Sequence, residues 1–203
     1  MKIWKKAVGI LAVAGVSLSL AACGTSGDKK DNATKDKNPS SVDAIKKRGE
    51  IKIAVFGDLS PYGYLDADGK NQGYDVYLGN QIAKDLGVNL KFINSSFATL
   101  IDDITNSKCH IAMFAIGNTP QRREKIKFTT AHLSSDVYAI TTKNNRRVQN
   151  WEDIDKSGNV VAVAKGTYHE PIMQEKLKNA QLLVVDKMHQ REQEVQAGRA
   201  DVF

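Results

Sequence analysis

Short apolar runs alternate with longer amphipathic stretches in the part of the chain that follows residue 41. The runs IKIAVF, VNLKFIN and CHIAMFA are typical of strands, and YDVYLGNQIAKDLG and FATLIDDITN between them are typical of helices. A short helix in SVDAIKKRGE precedes them and is closed by Gly49, and Gly87 ends the next helix. PYGYLDADGK predicts a loop with an Asp-Gly turn. This βαβαβ order predicts a mostly parallel sheet with helices on its faces.

A second alternation follows residue 133. DVYAITTK, VVAVA and QLLVVD predict strands, and NWEDIDKSG, GTYHEPIMQEKLKN and QREQEVQAG predict helices. The two α/β units join near residues 133 to 145. Phe203 falls inside a strand that ADVF begins, and this unit has too few strands to close its own sheet. We therefore expect the chain to be a fragment of a longer protein or a product of premature termination.

The first 22 residues predict an export signal. MKIWKK is basic, and AVGILAVAGVSLSLAA is apolar but short for a membrane span. The sequence LAAC that ends it resembles the lipobox of bacterial lipoproteins, in which Cys23 would receive a diacylglycerol and anchor the chain. An ordinary secretory peptide that happens to end in a Cys is the alternative. Residues 23–41 are polar and predict a flexible tether.

Charge and composition exclude several function classes. The formal net charge is +6, but Lys2, Lys5 and Lys6 lie in the signal region and no concentrated basic face remains, so we expect no nucleic-acid partner. With Cys23 lipidated, Cys109 has no intrachain disulfide partner and is predicted to be a small buried hydrophobe. The four histidines are widely separated, so we expect no metal and no cofactor.

Two strand ends have the composition of an anion site. AIGNTPQR and VAVAKGTY each end a strand in small residues and a turn, where ligands bind in α/β sheets. Gly117 and Gly166 would let backbone amides approach a ligand, the helix start after Gly166 favours an anion, and Arg122 can bind a carboxylate bidentately. The alternatives are a solvated charge run at Arg122, a simple β-to-α turn capped by Thr167, and aromatic side chains that belong to the core.

The ordered segments IKIAVFGDLSPYGYLDADGKNQGYDVYLGNQIAKDLGV, TPQRREKIKFT, VVAVAKGTY and VQAGRADVF resemble the extracellular solute-binding proteins of family 3, the receptors of ABC importers for polar amino acids. The resemblance covers roughly residues 42 to 203. It implies the α/β type II periplasmic-binding-protein fold, in which two α/β lobes close on a ligand at a hinge. Lobe 1 would comprise residues 42–136, and lobe 2, incomplete, residues 137–203.

The resemblance also implies roles for individual residues. Arg122 matches the arginine that binds the ligand's α-carboxylate, and Ala115 and Gly117 match positions that bind it through the backbone. Tyr168 departs from the family's Gly-Thr-Thr turn, and Leu59 stands where an aromatic ring often stacks. The acid that holds the α-ammonium would lie beyond the last residue. The implied ligand-binding set is Leu59, Tyr62, Phe97, Ala115, Gly117, Arg122, Gly166, Thr167 and Tyr168.

These implications predict a monomeric receptor without enzymatic activity. It would be anchored at Cys23 on the outer face of the bacterial cytoplasmic membrane, and would deliver a free amino acid to ABC permease and ATPase subunits. The segment VFGDLSPYGYLD favours cysteine or cystine, and then acidic or other polar amino acids; no Arg or Lys occupies residues 54–64. A dehydratase acting on prephenate or arogenate, which has the same fold, and a surface adhesin or sensory module remain alternatives.

Overall fold

The computed structural model describes residues 40–203. The predicted signal peptide, the lipidation site at Cys23 and nearly all of the predicted tether lie outside the described residues. Within residues 40–203, no helix combines the length and the apolar content needed to cross a bilayer. The helices are α1 (Val42–Arg48), α2 (Tyr74–Leu86), α3 (Leu100–Thr105), α4 (Pro120–Arg123), α5 (His169–Lys176) and α6 (Gln190–Gln196), with a 3₁₀ turn at Trp151–Asp153.

The described strands form three sheets. The strands are β1 (Glu50–Val55), β2 (Asp58–Leu59), β3 (Gly63–Leu65), β4 (Asn71–Gln72), β5 (Asn89–Asn94), β6 (Ile111–Ala112), β7 (Val160–Ala164) and β8 (Gln181–Val185). The first sheet has the order β5-β1-β6 and is parallel throughout. The second is a small antiparallel sheet of the order β2-β3-β4, and the third pairs β7 with β8 in parallel.

The first parallel sheet confirms the predicted βαβαβ order. β1 is buried along most of its length because helices and neighbouring strands cover both of its faces. Ile51 and Ile53 are fully buried and pack with Ala83 of α2. Gly79 of α2 lets the helix approach the sheet closely, since a β-carbon there would lie 3.0 Å from the Phe92 ring. α2 is therefore held against the sheet, and its first turn faces the region where β6 ends.

Helix boundaries follow the predicted signals. Ser41 is the N-cap of α1, and its hydroxyl accepts a hydrogen bond from the Ala44 N–H at 3.2 Å. Gly49 and Gly87 end α1 and α2 in the left-handed conformation, with φ of 71° and 69°. The buried Cys109, whose pKa burial raises to about 11, confirms the prediction of a small buried hydrophobe.

The segment predicted as a loop with an Asp-Gly turn contains the strand β3, which pairs with β2 before it and β4 after it, so the loop prediction was wrong in part. The turn between β3 and β4 is organised by the Asp66 carboxylate, which accepts hydrogen bonds from the side chain of Gln72 and from the N–H groups of Asp68 and Lys70. These bonds lower the pKa of Asp66, the bond from Gln72 most strongly. The Asp66 carboxylate therefore fixes the turn, and the residues on either side of it pair as β3 and β4.

The second alternation is also present: VVAVA forms β7 over its whole length, and QLLVVD forms β8 without its last residue. DVYAITTK contains no strand; Ile140 instead exchanges two backbone hydrogen bonds with Phe203, of 2.9 and 3.0 Å. ADVF contributes a single bridge, between Val202 and Val161, and CHIAMFA contributes only β6. A strand requires a hydrogen-bonded neighbour along its length, and among the described residues these segments have neighbours over only part of theirs.

Candidate functional site

The turn after β6 places Arg122 in the first turn of a short helix. Thr119 is the N-cap of α4, with its hydroxyl 3.3 Å from the Arg122 N–H, and Pro120 occupies the first helical position. Upstream, Ala115 has a φ of 52°, a left-handed conformation that costs about 1 kcal/mol or more in a residue other than glycine. The sequence Thr-Pro therefore fixes where the helix begins, and the strained backbone before it turns the chain sharply.

The Arg122 guanidinium joins two turns that are far apart in sequence. Its Nη1 donates to the carbonyl of Gly117 at 2.8 Å, and its Nη2 donates to the carbonyl of Gly166 at 2.8 Å. The side chain is half-buried, and burial lowers its pKa from the ordinary value. Arg123 differs, because it is exposed and donates to the Asn118 side chain at 3.0 Å. Arg122 thus lies at the point where the ends of β6 and β7 come together.

The Gly166 turn lies against the backbone that follows β5. A β-carbon at Gly166 would lie 2.5 Å from the Ala98 Cα and N and from the Phe97 carbonyl carbon, and its φ is +75°. Both the space and the conformation therefore require glycine at this position. Gly117 faces Tyr168, whose Cβ would be 3.4 Å from a β-carbon at that glycine. The turn at Gly166 therefore contacts the chain after β5, and the turn at Gly117 contacts Tyr168, which closely follows Gly166.

The amide predicted to bind a ligand anion already has a carboxylate partner. The Gly166 N–H donates to Oε2 of Glu170 at 2.7 Å. Thr167 is buried, and both its N–H and its hydroxyl donate to the Ala164 carbonyl, at 3.3 and 2.7 Å. The position therefore suits a carboxylate, as the sequence predicts, but in this conformation the carboxylate belongs to the protein itself.

Phe97 packs in an aromatic cluster of the core. Its ring makes edge-on contacts with Phe56 at 5.4 Å and with Phe114 at 5.1 Å between centroids. It is only partly buried, because its outer edge faces a cavity of about 460 Å³, here called the smaller cavity. Ala98, the exposed Lys165 and His189, which contacts Asp58, also line this cavity. Phe97 therefore packs in the core and also lines the smaller cavity.

A larger cavity of about 620 Å³ lies beside α2, β6 and residues 126–135. Its wall includes Tyr62, Ala115, Gly117 and Tyr168, all of which belong to the predicted site. The structure therefore brings these residues together around one space, with Arg122 bonded to the Gly117 carbonyl at its edge. Leu59 does not line this cavity, but its carbonyl accepts a hydrogen bond from the Tyr62 N–H at 2.8 Å.

Asp75 is a residue of this cavity that the sequence reasoning missed. It lies in the first turn of α2, is 2% exposed, and its Oδ2 has no hydrogen-bond partner among the described residues. Burial raises its pKa to about 6, against the opposing charge of His132, which also lines the cavity. Acids are common in the first turn of a helix, so the sequence alone did not distinguish this one.

Other titratable groups do not form a metal site. Among residues 40–203, no three His, Cys, Asp or Glu side chains lie together in a way that would hold an ion. His189 contacts Asp58 at 2.7 Å, which links the start of α6 to β2 across 131 residues of sequence. Hydrogen bonds and charged side chains therefore surround the two cavities.

Comparisons with known proteins give a consistent result. The family model for bacterial extracellular solute-binding proteins, family 3, matches residues 51–197. The L-cystine-binding protein TcyA of Bacillus subtilis is 27% identical over 98% of this chain and 72% of its own length. The cyclohexadienyl dehydratase of Pseudomonas aeruginosa is 28% identical over 81% of this chain, which spans only 62% of that relative.

A solved structure agrees with the sequence relatives. The solute receptor for L-cysteine of Neisseria gonorrhoeae superposes with a TM-score of 0.68 at 29% identity, over 79% of this chain and 65% of that one.

Proposed function

The chain belongs to the bacterial extracellular solute-binding proteins, family 3, and on that premise we propose that it captures a free polar amino acid for an ABC importer. Its fold is that of the type II periplasmic amino-acid-binding proteins. Permease and ATPase subunits would receive the amino acid, and no covalent chemistry would be required. Cysteine or cystine is the proposed ligand, followed by acidic or other polar amino acids.

The position of Arg122 carries this proposal. Its guanidinium lies between the Gly117 and Gly166 carbonyls, and hydrogen bonds to these two carbonyls account for two of its five N–H groups. If the two turns separated, the two Arg122 N–H groups that now bond to the carbonyls would be free. A ligand carboxylate could then accept two parallel hydrogen bonds from them. In this interpretation the carbonyls occupy the place of the ligand when the turns are in contact. The glycine at position 166 permits that contact.

Part of the wall of the larger cavity is apolar and suits an uncharged ligand side chain. Leu78, Ile82, Met113 and Phe114 are among its lining residues. Such a surface favours apolar groups and weakly polar sulfur. Relatives named for L-cystine and L-cysteine are consistent with this choice.

The remaining parts of the proposal concern the arrangement of the whole protein. Residues 1–22 would direct export, and Cys23 would carry the lipid that holds the protein at the outer face of the bacterial membrane. Residues 23–41 would be the tether, and residues 42–136 and 137–203 would belong to two lobes joined by a hinge. The protein would act as a monomer.

Calorimetry with amino acids tests the role of Arg122. Arg122→Ala should weaken binding of L-cysteine or L-cystine by more than about 100-fold, since each of the two charge-assisted hydrogen bonds contributes roughly 1.5–3 kcal/mol. Arg122→Lys should recover only part of the loss, because Lys has no bidentate geometry. Arg123→Ala is the matched control, since that side chain is exposed and bonds only to Asn118 among the described residues. Equal affinities of the Arg122→Ala and Arg123→Ala variants would refute the assignment.

A dehydratase is the second candidate, favoured by the similarity to the cyclohexadienyl dehydratase. The buried Asp75 has the raised pKa that a general acid requires. Incubation of the protein with prephenate decides between the two functions. Turnover of prephenate that Asp75→Asn abolishes would establish the enzyme, whereas binding of an amino acid without turnover supports the receptor.

A further inference from the structure

Basic side chains cluster at the amino-terminal edge of the first parallel sheet. Lys52 of β1 is paired with Lys91 of β5, and paired residues of neighbouring strands, about 4.8 Å apart, share one face of the sheet. His110 directly precedes β6; its Nδ1 accepts a hydrogen bond from the Lys52 N–H at 2.9 Å, and its Nε2 lies 2.9 Å from Nη2 of Arg48. These four residues, here called the basic edge, lie at the opposite edge of the sheet from the turn at Gly117.

Ion pairs leave most of the positive charge at this edge unbalanced. Lys108 is paired with Asp103 at 2.9 Å. Lys52 and Lys91, in contrast, form no ion pair with any residue that the structure describes. The members of the basic edge come from three separate segments of the chain, which is why the sequence showed no concentrated basic face. The edge therefore attracts anions.

The contact between His110 and Arg48 places two hydrogen-bond donors against each other. Burial, followed by the charges of Arg48 and Lys52, lowers the pKa of His110, so the ring is neutral at pH 7. A neutral imidazole has one N–H and one acceptor nitrogen. With Nδ1 accepting from the Lys52 N–H, the proton is on Nε2, and the Arg48 guanidinium that faces it has only donors. The other tautomer moves the same conflict to the Lys52 N–H. An anionic oxygen beside the two side chains would accept from both donors.

We propose that the basic edge binds a phosphate group. The oxygens of a phosphate point in several directions, so one group can accept from the Arg48 fork, the His110 Nε2–H and a lysine together. The phosphate belongs either to the head group of an anionic lipid or to a free phosphate ion. The lipid source rests on the proposed anchor at Cys23, because Arg48 ends the first helix after the proposed tether. Neither source depends on the binding of an amino acid.

An ordinary solvated surface with the same charges makes different predictions. Separate cations attract any anion through their summed charge, so the loss of any one surface lysine would weaken binding by a similar small factor. Arg48→Lys, which keeps the charge, would then bind phosphate as well as the wild type. In a site built around the guanidinium, the same variant should recover only part of the affinity, because lysine lacks the planar fork.

The test titrates the full chain by calorimetry at pH 7.5 and constant ionic strength with two probes. These are sodium phosphate and glycerophosphoglycerol, the head group of phosphatidylglycerol. Arg48→Gln and Lys91→Gln should each weaken at least one probe by about fivefold or more, the effect expected of one basic residue close to phosphate. Lys176→Gln is the matched control, because it removes the same charge from an exposed position in the last turn of α5, and it should change each affinity by less than twofold. Lys91 is exposed, so its variant tests the site even if Arg48→Gln is unstable.

Lysine labelling separates the two sources of phosphate. The full chain is incorporated into phosphatidylcholine vesicles with or without phosphatidylglycerol, and acetylation of individual lysines is followed by mass spectrometry. Slower acetylation of Lys52 and Lys91, but not of Lys176, in the vesicles that contain phosphatidylglycerol identifies the lipid head group. Equal acetylation in both kinds of vesicle, together with Arg48-dependent binding of inorganic phosphate, identifies the free ion.

Three results overturn the proposal. The first is the absence of binding by both probes together with unchanged acetylation. The second is a loss of affinity in Lys176→Gln as large as in the variants of the basic edge, and the third is full phosphate affinity in Arg48→Lys. None of these results bears on the receptor function, which the Arg122→Ala variant tests separately.

Discussion

Replacement of Asp75 by asparagine is expected to stabilise the protein at neutral pH. Burial raises the pKa of this carboxyl from its ordinary value of 3.8 to about 6. Because a tenfold change in a protonation equilibrium corresponds to about 1.36 kcal/mol, the ionised group costs up to about 3 kcal/mol of the free energy of unfolding. Asparagine has nearly the same shape and cannot ionise, so the variant does not carry this cost.

The pH dependence of the gain has a definite sign. Between pH 3.8 and about 6 the native state holds a proton that the unfolded state has lost, so the stability contributed by this group falls as the pH rises. The advantage of Asp75→Asn should therefore be absent below about pH 3.8, grow between pH 4 and 6, and reach its full size above about pH 6.5. The charge of His132 acts in the opposite direction to burial and lowers the pKa of Asp75.

Urea unfolding of the full chain, followed by circular dichroism from pH 4 to pH 8, measures this difference. Asp85→Asn provides the baseline for loss of one acid from α2, because it is exposed. A stability gain of Asp75→Asn that is the same at pH 4 and pH 8 would contradict the assignment of the cost to ionisation. A variant less stable than the wild type at pH 8 would refute the reasoning altogether.

Two further predictions concern the contacts between distant elements. Gly166→Ala should lower the melting temperature strongly, because the new methyl group would lie 2.5 Å from Ala98 backbone atoms at a φ of +75°. Gly117→Ala is the control, since its methyl group makes an ordinary contact at 3.4 Å and should cost less than about 1 kcal/mol. Equal losses of melting temperature in the two variants would contradict the close approach at Gly166. The contact of 2.7 Å between Asp58 and His189 joins two half-exposed side chains, so we expect a coupling free energy of only about 0.2–1 kcal/mol. A double-mutant cycle of Asp58→Asn and His189→Gln at pH 5.5 and low salt measures it. A coupling of zero in this cycle would contradict a contribution of the Asp58–His189 contact to stability.

The candidate site shows how far residue patterns could lead. The Thr-Pro sequence and the following arginines predicted a turn and a candidate anion contact, and Arg122 does lie where two strand ends meet. The same reasoning passed over Asp75 and Glu170. An acid in the first turn of a helix is common in sequence. Only the burial of Asp75 and the hydrogen bond from the Gly166 amide to Glu170 distinguish these two residues. Such properties depend on neighbours that are distant in the chain.

The sequence by itself determined the local features. The apolar run of β1 and the glycines that end α1 and α2 depend on interactions within a few residues of each other, and each was found at or near its predicted place. Turn chemistry was also local, although the Asp66 turn did more than predicted by pairing the strands on both sides of it.

Tertiary structure decided which of these local features meet. Arg122 bonds to a carbonyl 44 residues away, and Gly166 rests on the backbone of Ala98. The segment predicted as a strand near Ile140 has a backbone partner, Phe203, only at one residue among those described. These outcomes depend on how the sheets and loops pack, because hydrogen-bond partners, burial and electrostatic environment are properties of the space around a residue and not of its immediate sequence.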